Sequence, residues 1–169
     1  MYTKIFNLSL VIFLLLAVVF LQPAHAGSEN KKQNVIVKLS HFDAFNWEDP
    51  TKDGHNWQPA CMALMMTDHA LGREERYINR VTLFLALEAV ELADRDTASD
   101  LSGFTCMNGE TLQDRWDDLV NKGVDIKVCP GCAMIGGITP DTLREGASIA
   151  QGAPEVTRIF LRADKVIEF

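Results

Sequence analysis

The chain has 169 residues and a formal net charge of −7, with 23 acidic against 16 basic side chains and no run in which Lys and Arg concentrate. That balance makes the chain a poor candidate for binding nucleic acid or anionic membrane surfaces. Four cysteines, Cys61, Cys106, Cys129 and Cys132, are the reactive side chains that stand out.

Residues 1–26 read as a cleaved secretory signal peptide. Lys4 gives a short positive start, Leu8–Leu21 is apolar except for Ser9, and Ala24-His25-Ala26 has the small-x-small form of a cleavage site. The apolar run is short for a membrane span of ~20 residues, and no later stretch is long enough to cross a bilayer. The expectation is a periplasmic or secreted protein whose single domain occupies residues 27–169.

Asn34–Leu39 (NVIVKL) is rich in β-branched residues and predicts the first strand. A polar and aromatic loop with His41, Trp47, His55 and Trp57 follows. Pro59 suits the first turn of a helix that runs to about Leu71 and is closed by Gly72. Ala60, Ala63, Leu64, Thr67 and Leu71 share one face, and Cys61, Met62, Met65 and Met66 make the helix apolar nearly all round, so it is expected to be well buried.

Val81–Leu87 (VTLFLAL) is a continuous apolar run, the pattern of a central strand covered on both faces. Glu88–Ala93 suggests a helical turn. The loop after it, containing Cys106, is long for a compact domain and is expected to be functional or mobile. Thr111 and Asp114 resemble a capping box that opens a helix with Leu112, Trp116, Leu119 and Val120 on one face, ended by Gly123. Val124–Val128 is the third strand.

Cys129-Pro130-Gly131-Cys132 comes next, then a short helical piece at Ala133–Ile135. Ala147–Ala150 is a weak strand. Pro154 opens a last helix with Val156, Ile159, Phe160 and Ala163 on one face, and Lys165–Phe169 is the terminal strand. Strands alternating with helices predict an α/β fold: one domain with a mostly parallel sheet of about five strands, helices on both faces, and right-handed crossovers.

In such a sheet every strand-to-helix connection lies at the carboxyl edge, where ligands bind. All four cysteines, with His41 and His55, map to that edge. A cysteine at a helix N-terminus gains thiolate character, and the thiolate is the nucleophile. Cys129 and Cys132 are therefore the catalytic candidates, as a thiol-active pair in sulfur transfer or redox exchange. A structural disulfide or a metal site is the alternative for this pair. Cys61 and Cys106 read as a buried thiol and a loop thiol, or as a disulfide tying the long loop to the first helix. A cluster of all four thiolates, with His41 or His55 as further weak ligand candidates, would suit zinc or Cu(I). No cofactor is otherwise expected. A thioredoxin-type arrangement fits poorly, because that fold places its cysteine pair after an early strand and here only 37 residues follow Cys132.

Three blocks together resemble the DsrE/DsrF-like sulfur-relay family in an exported form: Val81–Asp94 (VTLFLALEAVELAD), Leu119–Ile138 (LVNKGVDIKVCPGCAMIGGI) and Ala163–Phe169 (ADKVIEF). The resemblance implies a small five-stranded α/β fold, assembly into homo-oligomers (trimers or hexamers), and sulfur carried as a persulfide on the cysteine after the third strand. Cys129 matches that position, and Cys132 is an addition to the minimal pattern. The partners implied are a sulfur donor and acceptor, either a protein or a small sulfur compound, and the activity is that of a sulfurtransferase-like carrier. A second reading is a non-catalytic, oligomeric metal- or ligand-binding module that uses the cysteine-rich edge.

Overall fold

The computed structural model describes residues 32–42, 57–72, 77–98 and 100–169. The expected signal peptide, His55 and Trp47 lie outside them. Five strands, β1 (Gln33–Leu39), β2 (Ile78–Leu85), β3 (Asp125–Val128), β4 (Ala147–Ile149) and β5 (Lys165–Glu168), form one sheet in the order β4-β3-β2-β1-β5. Every pairing is parallel. The helices are α1 (Gln58–Gly72), α2 (Leu112–Asn121), α3 (Pro130–Ile135) and α4 (Gly152–Leu161), with 3₁₀ segments at Leu87–Ala93 and Leu101–Gly103. Lys32–Phe169 form a single unit. The α/β fold with helices on both faces is as the alternation of elements predicts.

The strand order determines which face each helix covers. From β1 to β4 the chain steps along the sheet in one direction, so right-handed crossovers place their helices on one face. The return from β4 to β5 runs the other way and places α4 on the opposite face. The first face carries the main core: Val37, Leu39, Leu83, Leu85, Ile126 and Val128 pack with Leu64 of α1 and with Leu112, Trp116 and Leu119 of α2. The second face has a small core of Ile36, Phe84 and Ala86 under Val156, Ile159, Phe160 and Ala163, with Phe84 and Phe160 edge-to-face at 5.0 Å. One ten-residue helix covers a five-stranded face only in part, so polar strand residues Asp125 and Lys127 reach solvent there.

Local signals explain the element boundaries. Thr111 Oγ1 accepts from Asp114 N–H at 3.1 Å while the Asp114 carboxylate accepts from Thr111 N–H at 3.0 Å, a reciprocal cap on α2. Trp116 is fully buried because its indole N–H donates to the Glu145 carbonyl at 3.1 Å. The chain beside it turns at Gly146, whose φ of +82° suits glycine and whose hydrogen faces Val120.

Three expectations change. The second strand ends at Leu85, not Leu87, because Leu85 is the last position paired on both sides, to Leu39 and Val128. The chain then turns through Leu87, the one non-glycine residue with positive φ (+51°) among the described residues. α1 is buried on one face only, and Met62, Met65 and Met66 are half-buried. The long loop with Cys106 is docked rather than open: Leu101 and Phe104 are buried, Phe104 meets Phe42 and Trp57 edge-to-face, and Trp57 Nε1–H donates to the Thr105 carbonyl at 3.1 Å.

Candidate thiol site at the carboxyl edge

Cys129 directly follows β3. Its N–H donates to the Leu85 carbonyl at 2.8 Å, which continues the ladder one step past the strand. Its carbonyl accepts the first α3 hydrogen bond, from Ala133 at 2.9 Å, and Pro130 occupies the first helical position, where a missing N–H costs nothing. One residue thus ends the strand and opens the helix. Three residues on, the first turn of α3 carries Cys132 back over Cys129.

The two sulfurs lie 3.0 Å apart, with the Cys132 thiol donating to Cys129 Sγ, and both are half-buried free thiols. The backbone N–H of Leu87 donates to Cys132 Sγ at 3.1 Å. Burial pushes the Cys132 thiol above the usual cysteine range, and its hydrogen bond to Cys129 adds to this; the Leu87 N–H pulls the other way. Cys132 is therefore harder to deprotonate than an ordinary cysteine. Cys129 makes no side-chain capping bond to α3, so the geometry assigns its sulfur to the pair and not to the helix end.

Leu87 escapes sequence reasoning. A bulky residue at positive φ costs on the order of 1–3 kcal/mol, and nothing in an apolar run marks which residue will take that conformation. Here the turn aims a backbone donor at a thiol. The side chains of Met134 and Ile135, on the same helix as Cys132, and of Leu87, on the 3₁₀ segment that donates to it, are all exposed.

The other candidates are placed elsewhere. Cys61 and Cys106 are joined in a disulfide, each buried in the main core. This corrects the four-thiolate cluster and withdraws both as metal ligands: sulfurs bonded to each other carry no thiolate charge. Among the described residues no three His, Cys, Asp or Glu side chains gather as a metal site, so Cys129 and Cys132 alone remain as candidate soft-metal ligands, short of the four that structural zinc takes. His41 stands at the same edge, but its Nδ1 lies 3.3 Å from Glu88 Oε2, both side chains exposed, and it does not bond to either thiol. Lys127 points away, to Glu155 at 3.3 Å and Asp125 at 3.7 Å.

The chain is thus a five-stranded parallel α/β domain with two adjacent thiols where the third strand ends. The sequence profile of the DsrE/DsrF-like family matches residues 16–169, and the chain belongs to that family. Solved structures agree on the fold. The ychN protein from E. coli is 24% identical with a TM-score of 0.54, covering 82% of this chain and 99% of that one. A protein of unknown function from Methanobacterium thermoautotrophicum is 16% identical with a TM-score of 0.55, covering 82% and 100%. The comparison with curated proteins gives no match. No helix among the described residues is long and apolar enough to cross a membrane.

Proposed function

We propose that Cys129 accepts and passes sulfane sulfur as a persulfide, and that Cys132 resolves it. The observation that carries the reading is the 3.0 Å approach of two free thiols at the end of β3, and membership of a family associated with sulfur relay agrees with it. The Cys129 thiolate attacks the outer sulfur of a donor persulfide R–S–SH. A Cys129–sulfur bond forms, the donor S–S bond breaks, and R–S⁻ leaves. An acceptor thiolate that attacks the outer sulfur of the Cys129 persulfide receives the sulfur and restores Cys129. Without an acceptor, the Cys132 thiolate attacks the inner sulfur, forms the Cys129–Cys132 disulfide and expels HS⁻; a dithiol reductant of two electrons then resets the pair. Burial raises the Cys132 thiol, which disfavours the thiolate that resolution needs.

The donor and acceptor are persulfide- or thiol-bearing proteins or small sulfur compounds, and the working form is an exported homo-oligomer, trimer or hexamer. Reduced protein incubated with a low-molecular-weight persulfide and examined by peptide mass spectrometry tests the chemistry. The expected result is the mass of one sulfur atom on Cys129, accumulating in Cys132→Ser and absent in Cys129→Ser. Cys132→Ser protein without the adduct, or an adduct that persists in Cys129→Ser, overturns the reading. Light scattering and N-terminal sequencing of protein from its native compartment check the assembly and the cleavage near Gly27.

A further inference from the structure

The sheet face that α4 covers only in part holds a cleft of about 410 Å³. It is lined by the first halves of β1 and β2 and by Asp125 and Lys127 of β3. Along β2, Arg80 and Leu85 are separated by about 17 Å at ~3.3 Å per residue. Arg80 of β2, Arg158 of α4 and Arg162 just past its end line the cleft together with Lys127, Asp125 and Glu155.

These charges fall into two groups. Lys127 is engaged by both carboxylates, and Glu155 also accepts from the Gln151 N–H at 2.5 Å. The cleft's own acids are thus satisfied. Arg80, Arg158 and Arg162 form no close ion pair among the described residues, although the charge of Arg158 helps to hold the Glu155 carboxyl low. Arg158 and Arg162 stand one helical turn apart, where like charges repel. The helix dipole favours a cation near the end of α4, but it accounts for neither Arg80 on the facing strand nor the polar floor. That floor includes Thr82, on the central strand. Thr82 is 4% exposed, lines the cleft, and its hydroxyl has no hydrogen bond among the described residues. The hydroxyl is not one of the buried side-chain atoms that lack a partner, so it opens to the cleft, where a ligand or a water molecule can bond it.

We propose that this cleft binds a small molecule bearing two anionic groups, carboxylate or phosphate. Arg80 holds one group, Arg158 and Arg162 the other, and the Thr82 hydroxyl bonds from the floor. Guanidinium forks match both kinds of oxyanion in bidentate geometry, and the volume lies in the range of small-molecule sites. A long polyanion such as nucleic acid is disfavoured because it would meet the net negative charge of the whole chain (−7), whereas a small dianion feels the local cations.

The test is calorimetric titration of the reduced full chain with inorganic pyrophosphate and, separately, with succinate, each against sodium chloride at matched ionic strength. The expected result is saturable binding of at least one probe at one per chain; pyrophosphate identifies a phosphate ligand and succinate a dicarboxylate. Arg80→Gln and Arg158→Gln, both at exposed positions that folding tolerates, each weaken binding about tenfold. Arg158→Lys restores part of the loss, because it keeps the charge without the fork. Thr82→Val, of nearly equal shape, weakens binding several-fold and leaves the thermal midpoint within a few degrees of wild type. Neither probe binding beyond the salt control overturns the proposal. So does binding that is indifferent to Arg80→Gln and Arg158→Gln, which would mark an adventitious ion only.

Discussion

Replacing Cys61 and Cys106 together by alanine removes a cross-link that encloses the second strand and both 3₁₀ segments. The bridged residues are 45 apart in sequence. The chain-entropy relation assigns a loop of that length about 4 kcal/mol of stabilisation, exerted on the unfolded ensemble. Native disulfides removed from other domains cost ~2–5 kcal/mol, and the loop here has its own packing through Leu101 and Phe104. A loss of about 3 kcal/mol is the expectation. At ~3 °C per kcal/mol for a chain of this size, the melting midpoint falls by roughly 10 °C. The measurement is equilibrium urea unfolding followed by tryptophan fluorescence, in a Cys129→Ser, Cys132→Ser background so that no free thiol can exchange. The slope of the transition should rise with the loss, since an unfolded chain without a cross-link exposes more surface. A change below ~1 kcal/mol with an unchanged slope refutes the reasoning: the sulfurs would then be unpaired in solution, or their segments already close in the unfolded chain.

Two further outcomes follow from single residues. Gly146→Ala adds a methyl group 2.4 Å from Val120 Cγ2 at a φ of +82°, and the combined strain and overpacking should cost about 2–3 kcal/mol; Val120→Ala in the same chain recovers part of it, and a urea midpoint unmoved by Gly146→Ala contradicts the geometry. Asp94 is buried, which raises its carboxyl, but hydrogen bonds from the Thr97 N–H and hydroxyl outweigh burial and hold it below the usual range. A depressed folded value stabilises the protein above the unfolded carboxylate pKa of ~3.9 and loses that stabilisation as pH falls through the folded value. Asp94→Asn should cost about 2 kcal/mol at neutral pH and flatten the acid limb of the stability curve; acid limbs of equal steepness in the two proteins would show that this carboxylate does not carry it.

Much of this architecture could be read from local patterns. The capping pair Thr111 and Asp114, the apolar stripe of α2, and the strand before Cys129 appear where the spacing puts them, because each depends on residues within a few positions of one another. What escaped was set by partners distant in sequence. The choice of Cys61–Cys106 from several open pairings depends on how α1 lies against a loop 45 residues away. The second strand stops where its neighbours stop, which a continuous apolar run does not encode. His41 meets Glu88 and not a thiol because the 3₁₀ segment, not the third-strand loop, lies beside it. The arginines of the cleft are scattered in a chain with no basic run, and only the sheet and α4 bring Arg80, Arg158 and Arg162 to one place. The thiol pair was legible as a motif; the burial that raises Cys132 and its Leu87 donor were not.

The pairing of β5 with β1 also bears on how the sheet assembles. Asn34 hydrogen-bonds Asp164 and Arg162 across more than 125 positions, at separations of 130 and 128, so this contact is among the last that a growing or refolding chain can make. Until then β1, whose Val37 and Leu39 are wholly buried in the finished fold, has one edge of unpaired backbone groups open to strand addition from another chain. Renaturation should therefore be sensitive to protein concentration during the interval before β5 docks, and a synthetic peptide of residues 163–169 added in excess should compete for that edge and slow the recovery of native protein.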